Sequence, residues 1–364
     1  MRYRGHAALS AAFFAVLLSA CGGGAGSSSG FAGGPGGAGK SVEVPCNQHT
    51  DPRLALMTDR GIGLTSSRGL AAGRFALPAT AAPTQLVVMF HGHGNDSCSW
   101  RRHLQAVAAR GAVAIAMDYS DQLQVPSENY GWSIRSGAAD SIAAARYFMQ
   151  QYPSIKQVVN FAVSMGANVG GYAAADASAV RADGTPLFDQ WVAIEGVHDL
   201  TQEYTIVRGI EAANADAALA REEIERENDG PIEDVPEAYA ETTNTTRAAD
   251  MAYLKGVVLV HAQDDGLVPT AQSREMFAAL NVAGVPTHLY SVGLNDTGES
   301  DTTATAIVLG PVFGALGQDY ASPLAGHGWE GSSEHIVMRT GLEQLYLLLE
   351  GGTVTTGETP VPGT

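Results

Sequence analysis

From about residue 62 onward the chain alternates two hydrophobic rhythms. Short unbroken apolar runs read as buried strands: QLVVMF (85–90), AVAIAMDYS (112–120), QVVNFAV (157–163), QWVAIEG (190–196), GVVLVHAQ (256–263) and PTHLYSV (286–292). Between them lie longer stretches with apolar positions every three or four residues. These predict helices over 99–111, 132–153, 166–178, 270–284 and 332–351, the first stopped by Gly111 and the second near Pro153. A strand that is apolar at every position has both faces covered. The pattern therefore predicts an α/β fold, a mostly parallel sheet with helices on both sides. Segments 62–69 and 73–78 predict an antiparallel pair ahead of it, and no internal repeat is visible.

Two stretches break the rhythm. Residues 197–250 are acidic, helical in pattern over the first half and loop-like over the second. They read either as a solvated insertion or as a lid that shapes a substrate pocket. Residues 293–325 form a second insertion, polar first and apolar later. The last segment, GGTVTTGETPVPGT (351–364), reads as a disordered tail. The folded domain is thus expected over 41–350.

The first residues read as an address rather than as fold. Arg2 and Arg4 precede an apolar run from Ala7 to Leu18, which fits an export signal over 1–20 better than a membrane span. The run ends in LSAC (18–21), which resembles the bacterial lipobox, so Cys21 is expected to carry lipid and to anchor the mature protein to a membrane. Cleavage near Ala20 without lipid is the alternative. A Gly/Ser-rich tether (21–40) would follow. The expected location is the cell envelope of an exporting bacterium, or the medium. Beyond Cys21 the chain has two cysteines, Cys46 and Cys98, and an even pair in an exported protein suggests one disulfide.

Charge narrows the partners. With 38 acidic and 21 basic residues the net charge is −17, and no basic patch appears, which argues against nucleic acid. No Cys-x-x-Cys spacing suggests a metal, and no cofactor is expected. His91 and His93 are two residues apart, but they read better as packing at a strand end than as metal ligands.

The candidate chemistry sits at strand ends. In VVNFAVSMGANVGGYAAA (158–175) a buried strand meets a helix at Ser164, with small residues two before and two after, Ala162 and Gly166. A sharp strand–turn–helix of this kind exposes a serine hydroxyl above the sheet. The N–H of Met165, at the helix N-terminus, would face an oxyanion there. A second donor would come from HGHGND (91–96), with His93 first and Gly94 second. An acid is expected after a late strand. Asp265 in HAQDDGLVPT (261–270) is favoured over its neighbour Asp264, with Asp199 and Glu195 as rivals. A base is expected in the loop before the last helix. His327, between two glycines, is favoured over His335, which lies where the helical pattern has begun. The order Ser, Asp, His matches the one expected for this type of sheet.

On AVSMG, HAQDDGLVP and GHGWE the chain resembles the α/β-hydrolase family over roughly residues 63–350. The resemblance implies a Ser164–His327–Asp265 triad and an acyl-enzyme mechanism. Within the family, AIEGVHDL and AADMAYLKGVVLVHAQDDGLVP are similar to the prolyl oligopeptidase catalytic domain, while HGHGND resembles secreted polyester depolymerases and feruloyl esterases. Ala162 stands where that pattern has Gly, and too few residues precede Gly63 for the propeller many oligopeptidases carry. The expected activity is hydrolysis of a small-molecule or polymeric carboxylic ester. The alternatives are an oligopeptidase-like peptidase and a silent hydrolase fold used for binding.

Overall fold

The computed structural model describes residues 42–45, 58–119, 131–212, 215–263, 265–293, 327–328, 330–332 and 335–363. The signal, the tether, Cys21, Cys46, Asp264 and nearly all of the 293–325 insertion lie outside the described residues.

Ten strands form one sheet in the order β1-β2-β3-β5-β4-β6-β7-β8-β9-β10. β1 (Val42–Pro45), β2 (Thr58–Ser66) and β3 (Gly69–Ala76) run antiparallel at one side, and β3 pairs antiparallel with β5 (Val113–Met117). β4 (Gln85–Phe90), β6 (Gln157–Val163), β7 (Gln190–Ile194), β8 (Gly256–Ala262) and β9 (Thr287–Val292) complete a parallel array with β5.

The unbroken apolar runs have a direct structural cause. Successive strand side chains alternate between faces. Leu86, Val88 and Phe90 of β4 join one hydrophobic core, while Val87 and Met89 join the other. Helices α2 (Ile134–Gln151), α3 (Met165–Ala175) and α7 (Ala271–Val282) contribute to the first core. Helices α1 (Arg101–Ala109) and α8 (Ile336–Leu349) cover the second.

Two expectations need correction. The second half of 197–250 is not loop-like. After α4 (Leu200–Ile210) and α5 (Ala215–Glu227) come α6 (Pro236–Thr242), with Pro at its first turn, and a 3-10 turn over Thr245–Met251. Helices this short complete too few turns to show a period. The segment is also bonded to the core: Asn168 Nδ2 donates to Thr242 O at 2.7 Å, and Asn244 Nδ2 to Ala167 O at 3.1 Å.

The disordered tail over 351–364 is the second correction. Gly357–Val361 forms β10, parallel to β9, and Gly293 N donates to Val361 O at 2.9 Å. Backbone pairing, not a buried apolar face, holds this strand. Its Pro360 is tolerated because only one side of an edge strand needs ladder donors.

Candidate active site

Ser164 stands where β6 meets α3, at φ 57° and ψ −130°. That left-handed backbone is costly for a serine, and the surroundings hold it there. Ser164 N donates to Ile194 O at 2.9 Å, while Ser164 O accepts Ala167 N at 2.9 Å. The turn also fits tightly against the end of β4. A Cβ added to Gly166 would stand 2.2 Å from Phe90 O and 2.6 Å from His91 O. The small residue two places after the serine is therefore a backbone-contact requirement. Ala162, two places before, is fully buried between Phe90 and Ala193 in the ladder.

Asp265 and His327 come together across 62 residues. His327 Nδ1 lies 2.9 Å from Asp265 Oδ2. The carboxylate can only accept there, so Nδ1 carries a proton, and a ring protonated at Nδ1 alone presents a lone pair at Nε2. Among the described residues that Nε2 has no hydrogen-bond partner, Ser164 Oγ included. Burial alone would raise the Asp265 carboxyl, but His327 and the hydrogen bond from His261 outweigh it and hold it well below the usual carboxylate range. Its Oδ1 accepts Leu267 N at 2.8 Å and Val268 N at 2.9 Å, and His261 Nε2 lies 3.2 Å from its Oδ2.

The β4–α1 turn lies directly over the serine, since a Cβ on Gly92 would be 3.7 Å from Ser164 Oγ. Gly92 N–H donates to Glu330 Oε1 at 3.1 Å and is thereby spent. His93 and Gly94 supply the next N–H groups along the turn. Met165 opens α3, where the first N–H groups have no acceptor within the helix. His91 and His93 part ways. His91 is buried, stacks on Tyr119 at 4.0 Å between ring centroids, and is lowered by burial to about 4. The His93 side chain, one-third exposed, reaches Glu223 Oε2 of α5 at 2.5 Å. The acidic insertion therefore touches the turn beside the serine.

The rival residues take other places. Asp199 caps α4, accepting Gln202 N at 3.0 Å. His335 precedes α8, its N–H donating to Ser332 Oγ at 3.0 Å. Glu195 is different. Its Oε2 lies 3.8 Å from His327 Nδ1 and accepts the N–H of Gly328. The sequence offered Glu195 as a rival acid and did not single out Glu330. Glu330 is buried three residues after His327, where burial raises its carboxyl, and its Oε1 also accepts Ser99 Oγ at 3.2 Å. The one available signal was its place in GHGWE, beside the candidate base.

Comparison with known proteins agrees with this architecture. The prolyl oligopeptidase family model matches residues 127–295, a span that holds Ser164 and Asp265 and ends before His327. No curated protein matches the chain in sequence. Among solved structures, an acylaminoacyl peptidase bound to Z-Gly-Gly-Phe-chloromethyl ketone superposes with a TM-score of 0.54 at 13% identity, over 83% of this chain and 42% of its own. A puromycin-hydrolyzing peptidase of Mycobacterium tuberculosis gives 0.51 at 15% identity, over 83% and 42%. Carboxyl esterase 2 of the fungus Tuber melanosporum gives 0.54 at 13% identity, over 88% and 90%. The chain thus spans under half the length of the two peptidases. Fold and topology define an α/β-hydrolase fold. Two strand ends and a later loop carry a serine, an aspartate and a histidine, in the chain order that fold uses for a serine hydrolase.

Proposed function

We propose that the chain is a serine hydrolase that cleaves carboxylic esters through an acyl-enzyme. The observation that carries this is His327, whose Nδ1–H is held by a depressed Asp265 while Nε2 has no partner among the described residues. Ser164 Oγ attacks the carbonyl carbon and gives its proton to His327 Nε2. The N–H groups of Met165 and His93 take the oxyanion, each such donor contributing about 3 kcal/mol to the transition state. The tetrahedral intermediate collapses as His327 returns the proton to the leaving alcohol. Water then attacks the acyl carbon with His327 again as base, releasing the acid and restoring Ser164.

An ester is favoured because the chain matches the esterase over nearly the whole length of both. The family match over 127–295 favours the second reading, a peptidase acting on aminoacyl amides. Parallel assays with p-nitrophenyl esters and aminoacyl p-nitroanilides, beside Ser164→Ala, separate the two. Faster ester turnover, lost in the variant, is the expected result. Turnover retained by Ser164→Ala rejects the nucleophile.

The proposal extends to the cell. LSAC supports export and lipidation at Cys21, and the even cysteine pair beyond it supports a bridge between Cys46 and Cys98. Intact mass without reductant tests both, and a free thiol at Cys98 rejects the bridge.

A further inference from the structure

The Nδ1 side of His327 faces two carboxylates. Asp265 Oδ2 is 2.9 Å away and Glu195 Oε2 is 3.8 Å away. Glu195 is fully buried and stands at φ 48°, a left-handed backbone that a glutamate adopts only at a cost. Its N–H still donates to Val260 O at 2.8 Å, so the costly conformation falls directly at the end of β7. It turns the side chain under the loop that carries His327. There Oε2 accepts the N–H of Gly328, and Oε1 accepts Ala262 N at 3.4 Å. The loop is pressed onto this carboxylate. A Cβ on Gly328 would meet Glu195 Oε2 at 3.0 Å and Val337 Cγ2 at 2.5 Å.

We propose that Glu195 is a positioning residue for His327. It fixes the base loop through Gly328 and shares with Asp265 the positive charge that the imidazole takes up during turnover. The inference rests on the triad reading above. In the resting state the single Nδ1–H goes to Asp265, since 3.8 Å is no hydrogen bond. Once the Ser164 proton reaches Nε2, the ring is a cation with both carboxylates at ion-pair distance. A carboxylate oxygen can accept two donors, so Glu195 Oε2 can take Nδ1–H while keeping Gly328. Protons balance throughout: one moves from Ser164 Oγ to Nε2, Nδ1–H stays on the ring, and neither carboxylate is protonated. Asp265 is anchored at Oδ1 by the N–H groups of Leu267 and Val268, and His261 lies beside its Oδ2. Glu195 is thus placed to serve His327 when Asp265 loses its charge.

The test compares the full-length protein with Glu195→Gln, Asp265→Asn, the double variant and Ser164→Ala, measuring kcat and KM on one p-nitrophenyl ester. Glutamine keeps the size and an oxygen for Gly328 N–H while removing the charge. Alone, Glu195→Gln is expected to lower kcat about 5-fold with KM unmoved; in the Asp265→Asn background it should lower kcat a further ~100-fold. The same factor in both backgrounds, or a loss carried by KM, would overturn the proposal, because loop anchoring alone does not depend on the charge of Asp265. Should thermal unfolding show that Asp265→Asn is not folded, Asp265→Ala replaces it with the same criterion. An inactive Ser164→Ala with equal factors defeats this inference alone, whereas an active Ser164→Ala defeats the triad as well.

Discussion

Gly166, in the turn of Ser164, and Gly94, in the turn after β4, show how differently two glycines are constrained. A methyl at Gly166 collides with two backbone carbonyls of the neighbouring strand end, which cannot step aside. Gly166→Ala should cost about 3 kcal/mol or prevent folding, read as the urea midpoint. At Gly94 the space is open and only the φ of 73° resists a side chain, so Gly94→Ala should cost about 1 kcal/mol. An equal cost at both positions would contradict the packing of the elbow against β4. Ser164, Asp265 and His327 were legible because each stands at the end of a strand or in a Gly-flanked loop where the pattern breaks. Glu330 and Glu223 were not, and Glu195 only as a rival acid, for a physical reason. A lone acidic residue in a sequence looks solvated, and only the folded chain reveals a carboxylate buried against backbone N–H groups or a histidine.

At the scale of elements, the parallel strands were readable because burial on both faces demands apolar residues at every position. β10 was not, since an edge strand built of Gly, Glu, Thr and Pro leaves no such mark. The structure gives that strand a specific task. It covers the open edge of β9, and Val354 ahead of it fills the space left by Gly256, where an added Cβ would meet it at 2.6 Å. Ending the chain after Gly351 should therefore lower the thermal midpoint by several degrees and promote association through the bared edge. An unchanged midpoint with a monomeric product would contradict that task. The helices between β7 and β8 were half legible: α4 and α5 are long enough to show a helical period, α6 and the 3-10 turn are not.

For the molecule as a whole, the site and its stability are coupled through buried charge. Behind Asp265, burial and the Asp265 charge raise the Glu203 carboxyl to about 8. An unfolded glutamate titrates near ~4.3. Between those values the folded protein keeps a proton that the unfolded chain has released, so Glu203 lowers stability as pH rises through that window. Glu203→Gln keeps an acceptor for Gln272 Nε2, which now donates to Glu203 Oε2 at 3.1 Å. Denaturant titrations should show the variant matching the parent near pH 4 and exceeding it by on the order of 2 kcal/mol near pH 9. Parallel stability curves would show that Glu203 is ionised in the fold. The proposed chemistry turns on Ser164 forming a covalent acyl intermediate with His327 as its base. Its most direct test is intact-mass and peptide analysis after incubation with a fluorophosphonate. One adduct per chain, on Ser164, lost in Ser164→Ala and strongly slowed in His327→Ala, is the predicted result. A protein that stays unmodified, or carries the adduct on another residue, would contradict the account.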